Sequence, residues 1–228
     1  MPLQLSIRRE ATLLGLAAGF IGLAIYYDRR NRQPVTAGTL RNPSAASNNP
    51  LDALAWDELD DRTAGRADIG LYGGPTLPLL LALHPRPRQE YRALLLVWLE
   101  TILLNFAITS AIKNRASRPR PYVLSAAFPQ DRSLSRNDRA AFLSGHSSMA
   151  AAGSVLCARL VWYYFPEFPR KKLIFLAAAL PVYTAYLRVR SAKHWPSDAV
   201  AGLLQGGAVG WWVPHLHLEA GDAFFGRD

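Results

Sequence analysis

The chain is 228 residues long, carries 26 Lys plus Arg against 17 Asp plus Glu for a net charge of +9, and is 50% hydrophobic. That length holds one domain or at most two, and a basic balance suits nucleic acid, an anionic membrane surface or a phosphate-bearing substrate. Long apolar runs between the basic residues disfavour nucleic acid, and the single cysteine, Cys157, excludes a disulfide framework or a cysteine-built zinc site within one chain.

The mean hydropathy of +0.02 averages two unlike populations. Residues 28–67 and 114–140 are polar, Pro-rich and charged, whereas between and beyond them lie runs that are nearly charge-free. Six apolar segments follow in chain order: 11–27, 68–84, 92–112, 141–165, 172–188 and 198–216. A spanning helix needs ~17–25 mostly apolar residues, so several sit at the short end. Pro75, Pro78 and Pro181 fall inside two of them, which spans tolerate when neighbours satisfy the freed backbone groups. A soluble bundle of buried helices is the competing organisation, but six such runs in so short a chain favour a membrane protein. The predicted fold class is all-α, a six-span transmembrane helical bundle.

The first segment has Arg8 and Arg9 ahead of an apolar core and ends in "IYYDRRNR". A bulky, charged exit lacks the small-residue site of a cleaved signal peptide, so the segment reads as the first span. Residues 1–40 are therefore expected to form an N-terminal span with its basic flank. In 41–67, "NNPLDALAWDEL" offers Asn49 as N-cap, Pro50 at the first helical position, and Leu51, Leu54, Ala55 and Leu59 on one face. The spacing predicts a short amphipathic helix in an extramembrane segment. Residues 68–217 form the main membrane domain and 218–228 a C-terminal tail. No internal repeat is visible.

The short loops 84–92 and 166–172 are basic, and positive-inside asymmetry puts both in the cytoplasm. Six alternating spans then leave both termini inside. Arg29, Arg30 and Arg32 after the first span argue the other way. Trp and Tyr gather near predicted span ends, as interface belts do.

Three polar clusters do not suit lipid: "KNRASRPRP" (113–121) after the third span, "FLSGHSS" (142–148) opening the fourth, and "LRVRSAKHWPSD" (187–198) between the fifth and sixth. Singly each has a plain structural explanation: an interfacial anchor, a helix cap, a solvated histidine. Together they place cations, two histidines, a serine and an aspartate at one depth on the side away from the short basic loops, and ionisable groups there tend to be functional.

Lys113, Arg120 and Arg188 are fixed positive charges suited to phosphate oxygens. Gly145 and His146 open a helix, so backbone N–H groups and the helix dipole can face an anion, and Ser144 adds a hydroxyl. This is an oxyanion cage assembled without a metal. With 194–198 as a first helical turn, His194 and Asp198 share a face at i, i+4. Asp198 would then hold one ring nitrogen and leave the other as a nucleophile, while His146 would protonate the leaving oxygen.

These clusters resemble the three-part signature of the type 2 phosphatidic acid phosphatase family, whose fold is shared with vanadium-dependent haloperoxidases. Its pattern is K-x6-R-P, P-S-G-H and S-R-x5-H-x3-D. Lys113 with Arg120-Pro121, Ser144-Gly145-His146, and Arg188 with His194 and Asp198 match it at the required spacing. Leu143 stands where the family has proline and Leu187 where it has serine; neither change removes a charge or a histidine. The resemblance implies a metal-independent, cofactor-free phosphomonoesterase or lipid pyrophosphatase in which His194 is phosphorylated and the phosphohistidine is then hydrolysed. Members in bacterial inner membranes act at the periplasmic face on lipid phosphates such as undecaprenyl pyrophosphate, phosphatidylglycerophosphate, phosphatidate or lipid A. The alternatives are a vanadate-holding haloperoxidase, usually soluble and larger, and a non-enzymatic phosphate- or lipid-binding membrane protein, which would need the cations but not the histidine pair.

Overall fold

Each apolar run becomes helix, with ends set by local capping residues. The computed structural model describes residues 3–40 and 49–218. Its α-helices are α1 (Ile7–Arg30), α2 (Asp61–Arg66), α3 (Asp68–Leu80), α4 (Pro85–Arg88), α5 (Tyr91–Ala116), α6 (Gly145–Tyr164), α7 (Arg170–Arg190) and α8 (Pro196–His217). Ser144 caps α6 by accepting from the Ser147 N–H, and Asp60 caps α2 by accepting from the Thr63 N–H. Pro196 occupies the first turn of α8, where a missing N–H costs little.

The helix α6 is central, packed against α3, α5, α7 and α8, while α1 lies against α5. Small residues allow close packing around α6. Gly202, Gly206 and Gly210 form one stripe of α8, facing Ser144, Ser148 and Ala152 on the matching stripe of α6. A Cβ on any of these glycines would run into the backbone opposite, so the helix separation depends on glycine. Gly74 of α3 meets Ala150 and Gly153 in the same way. Beneath the start of α6, Ser148 bonds Asn105 at 2.9 Å and Gln205 at 2.6 Å, and Thr109 lies 3.2 Å from Ser148, joining α5, α6 and α8 in one polar layer. Outer faces remain apolar: Ile69, Leu83, Phe175, Tyr186 and Leu204 are all strongly exposed, as expected of a surface that meets lipid tails.

Among the described residues, three stretches are long and apolar enough to cross a membrane: α1, Tyr91–Leu124 containing α5, and α7. The six-span count is not reached by that measure. α6 and α8 run 20 and 22 residues but are diluted by Gly, Ala, Ser, Gln and His, since helices covered by protein need little apolar surface. The expected segment 68–84 is broken. α3 has 13 residues, about 20 Å at ~1.5 Å per residue, and a 3₁₀ turn, Leu81–Leu83, separates it from α4.

The expected amphipathic helix in 41–67 is also corrected. Its first residues, 41–48, lie outside the described residues. Asn49 does cap a helix, accepting from the Leu51 N–H, but that helix is a 3₁₀ turn, Pro50–Leu54, ending before Leu59. Leu51, Leu54 and Leu59 are exposed, and the buried member is Asp52. The turn is anchored by a carboxylate, not by an apolar face.

The two short basic loops share one end of the bundle. Arg86 donates to the Tyr164 carbonyl at 3.3 Å and sits 3.8 Å from Glu167, and His84 stacks edge-on to Phe165. The opposite end gathers α2, the stretch 31–40, the loop 117–144 and the α7–α8 turn. There Lys193 pairs with Asp61 at 2.8 Å, the Tyr122 N–H donates to the Ala192 carbonyl, and the Leu134 N–H donates to the Val35 carbonyl.

Candidate active site

Four helix ends build this second end: the last turns of α5 and α7 and the first turns of α6 and α8. Lys113, in the last turn of α5, donates to the Ala140 carbonyl at 2.9 Å. α5 then stops because Ser117 turns into the left-handed region (φ 45°), directing the chain into Arg118-Pro119-Arg120. Arg120 is buried, donates to Asn137 Oδ1 at 2.8 Å, and keeps an Nε without a hydrogen-bond partner among the described residues. Arg188, in the last turn of α7, is likewise buried with an unpartnered Nε; one of its terminal nitrogens reaches the Ala64 carbonyl at 3.5 Å. Buried guanidinium donors without partners are costly, and two of them beside Lys113 form a site that favours an anion.

His194 is 1% exposed. Its Nδ1 lies 2.7 Å from the Ala141 carbonyl. A carbonyl only accepts, so Nδ1 carries the proton and the neutral ring keeps its lone pair on Nε2. Burial first, then the charges of Lys113, Arg188 and Arg120, hold this imidazole well below its ordinary range, against the opposing hydrogen bond to Ala141.

Asp198 does not perform the orienting role expected for it. Its carboxylate is 3.8 Å from His194 Nδ1, beyond hydrogen-bond reach. It accepts from the Trp195 N–H at 2.8 Å, capping α8, and from Arg118 at 2.6 Å, while its backbone carbonyl accepts from the Ser144 N–H at 3.0 Å. Asp198 thus ties α8, the start of α6 and the loop after α5 together.

Ser144 is fully buried at the N-cap of α6, with its Oγ 2.9 Å from Ser147 Oγ. Gly145 opens the helix beside Lys113: a Cβ there would sit 3.9 Å from Lys113 Nζ. His146 follows, and Arg188 and Lys113 are close enough to act on it electrostatically. All eight residues singled out in the sequence therefore converge at this end.

Sequence reasoning missed three side chains. Asp68, first in α3, lies 2.9 Å from His146 Nε2, so the carboxylate–histidine pair that forms involves His146, not His194. Arg118 bridges two carboxylates, Asp198 at 2.6 Å and Asp52 at 2.7 Å, and lies over the Trp195 ring. Asp52 also accepts from the Ser197 N–H at 2.9 Å and hydroxyl at 2.8 Å, fastening the 3₁₀ turn onto the start of α8. The available signals were Asp68 opening an apolar run and Arg118 lying inside the first basic cluster. A polar cavity of about 350 Å³ adjoins the site, reaching Lys113 and carrying Arg32, Arg136 and Arg139.

The arrangement can hold a tetrahedral anion against three cations and a helix start, with one imidazole lone pair and a second, carboxylate-held imidazole nearby. A family model described as PAP2 superfamily matches residues 94–222, more than half of the chain and the whole stretch from Lys113 to Asp198. No curated protein and no solved structure matches the chain.

Proposed function

The chain belongs to the PAP2 superfamily, and from that premise we propose that it is a membrane-embedded, metal-independent lipid phosphatase working through a phosphohistidine. Phosphatase chemistry and apolar helices belong to the family assignment and the fold at the coarse level. The lipid substrate, the intermediate and the residue roles are the proposal. The observation that carries it is the convergence of the buried His194, Arg120 and Arg188 with the half-buried Lys113 beside the start of α6.

In this reading the phosphoryl group sits among Lys113, Arg120, Arg188, the Ser144 hydroxyl and the amides of Gly145 and His146. His194 Nε2 attacks phosphorus, a P–N bond forms and the P–O bond to the lipid breaks. His146, protonated and held by Asp68, supplies the proton to the departing oxygen. Water then attacks the phosphohistidine, His146 takes its proton, and the P–N electrons return to Nε2. Asp198 is a positioning residue. The six-span arrangement is retained here as a proposal, with α3, α6 and α8 crossing inside the bundle under cover of the other helices. The catalytic membrane domain is taken as 68–217, between a first span and a short tail.

The active end is proposed to face the periplasm of a bacterial inner membrane, because the basic loops 84–92 and 166–172 lie at the other end. Single cysteines at Ser133 and Glu167, in a Cys157→Ala background, test this. An impermeant thiol reagent on spheroplasts should label position 133 and spare 167; the reverse pattern puts the site in the cytoplasm. The function itself is tested by phosphate release from polyprenyl, glycerophospholipid and lipid A phosphates with purified protein. Release from at least one of them, lost in His194→Ala, is the expected result. No release from any, or release unchanged in the variant, overturns the reading.

A further inference from the structure

A second buried polar cluster lies away from the phosphate site, where the start of α1, the first half of α5 and the end of α8 meet. Glu10, Glu100 and His217 each offer a ligand atom, and these atoms lie within 4.8 Å of one another. Glu100 and His217 are almost fully buried. Lys113 stands thirteen residues further along α5 than Glu100, which separates this cluster from the phosphate site by about 20 Å at ~1.5 Å per residue.

The groups are poorly satisfied by protein alone. Both oxygens of Glu100, Oε2 of Glu10 and Nε2 of His217 are buried without a hydrogen-bond partner among the described residues. His217 Nε2 does approach Glu100 Oε2 at 2.8 Å, an ion-pair distance, but without hydrogen-bond alignment. The other ring nitrogen is accounted for: Nδ1 lies 3.2 Å from the Gln4 carbonyl. That contact puts a proton on Nδ1, 3.9 Å from Glu10 Oε1, leaving Nε2 of a neutral ring to face the Glu100 carboxylate with its lone pair. Metal-bound histidines commonly have their outer N–H fixed by a backbone carbonyl in this way. Arg9 pairs with Glu10 Oε1 at 3.1 Å and donates to the Leu216 carbonyl. Among the described residues no Lys or Arg is recorded in an ion pair with Glu100, whose one ionisable neighbour recorded at ion-pair distance is His217.

We propose that Glu10, Glu100 and His217 bind one divalent transition-metal ion. An imidazole with two carboxylates is a donor set for Zn²⁺ and similar ions, and a backbone oxygen or water can fill the remaining position. The three ligands come from three helices, so the ion would fasten the start of α1 to α5 and α8. It takes no part in the phosphoryl chemistry. The competing occupant of the cluster is a proton shared by Glu100 and His217.

The test uses untagged, full-length Cys157→Ala protein in detergent, exchanged into metal-free buffer and titrated with Zn²⁺ by calorimetry, with the bound ion counted by mass spectrometry after desalting. Zinc also has a possible resting place beside His146 and Asp68, so Glu100→Gln and His217→Ala serve to report the remote cluster alone. Expected are one zinc per chain assignable to the cluster, affinity reduced ~100-fold or more in either variant, and a zinc-dependent rise in melting temperature absent from both. Co²⁺ in place of zinc should give visible d–d bands in the parent that the variants lack. Parent protein retaining no zinc, or variants binding it as tightly as the parent, overturns the proposal and leaves a protonated carboxylate–imidazole pair. Glu10→Gln, at the edge of the cluster and still able to accept from the Ser6 N–H, provides a third variant should either buried substitution prevent folding; unchanged affinity there also counts against the site.

Discussion

The two polar clusters are opposites in charge. At one, cations crowd together: Arg120 and Arg188 are buried with Lys113 half-buried beside them, and each arginine keeps an Nε without a hydrogen-bond partner among the described residues. At the other, the carboxylates of Glu10 and Glu100 crowd around one imidazole, with unpartnered oxygens. Burial penalises an uncompensated charge in either case, so the first cluster favours an anion and the second a cation. The same bundle also uses carboxylates differently in the two places. Near the cation-rich end every buried Asp among the described residues is hydrogen-bonded: Asp198 by Trp195 and Arg118, Asp52 by Ser197 and Arg118, Asp138 by Tyr122 and Ser135. Around Glu100 no such saturation occurs. What separates a structural carboxylate from a candidate ligand is the state of its partners, not its burial.

Four substitutions and one chelation experiment break or sharpen this contrast. The largest effect is expected from His194→Ala, which removes the proposed nucleophile from among the cations. Turnover should fall by ~10⁴-fold or more, with helix content by circular dichroism unchanged; activity within tenfold of the parent would strip the cation-rich end of its catalytic meaning. Asp198→Asn breaks a buried ion pair with Arg118, a loss worth about 3–5 kcal/mol in such settings. Melting temperature and turnover should drop together, and a variant slowed without being destabilised would mean that Asp198 acts on His194 directly. Asp68 provides the complementary case, since its side chain is half exposed. Asp68→Asn should lower kcat by ~10–100-fold with KM and melting temperature little changed, because only the proton supply through His146 is disturbed.

A smaller effect concerns pH. The imidazole of His194 is held below its ordinary range by burial and by Lys113, Arg188 and Arg120, so its lone pair persists under mildly acidic conditions. Removing one of those charges lets the ring protonate more easily. In Lys113→Met the acid limb of the kcat/KM profile should therefore move to higher pH, beyond the general loss of rate; a limb that stays put or moves lower contradicts the assignment of that limb to His194. The smallest effect on turnover is expected from chelation. EDTA should lower the melting temperature of the parent while leaving initial phosphate release unchanged, and in His217→Ala it should change neither melting temperature nor phosphate release. Loss of turnover in His217→Ala on chelation, restored by a divalent ion, would place a metal at the catalytic end.

The cation-rich end was largely legible in the sequence because its residues sit at helix ends in short, fixed spacings. Lys113 to Arg120, Ser144 to His146, and Arg188 to Asp198 each span eleven residues or fewer, so local pattern carried them. Asp68, Asp52 and Arg118 were not legible as partners, because their contacts cross from α3 to α6 and from the 3₁₀ turn to α8, separations that no local period encodes. The misreading of 49–59 has the same origin. Leu51, Leu54 and Leu59 have helical spacing, but the turn is held by Asp52 bonding Ser197 and Arg118, so the leucines are left outside. The metal-type cluster was invisible for a simpler reason: Glu10, Glu100 and His217 lie far apart in the chain and share no motif spacing. The six-span count was read from apolar length alone; a 3₁₀ turn ends α3 after 13 residues, and among the described residues three stretches are long and apolar enough to cross a membrane.

The central claim is that His194 becomes phosphorylated. Rapid quenching of the purified enzyme with its lipid phosphate, followed by peptide mass spectrometry at neutral to alkaline pH to protect the P–N bond, tests it directly. The account predicts a phosphoryl group on the peptide containing His194, formed within one turnover, lost again as product accumulates and absent from His194→Ala. Turnover with no phosphorylated peptide at any time, or with the phosphoryl group on another residue, would contradict it.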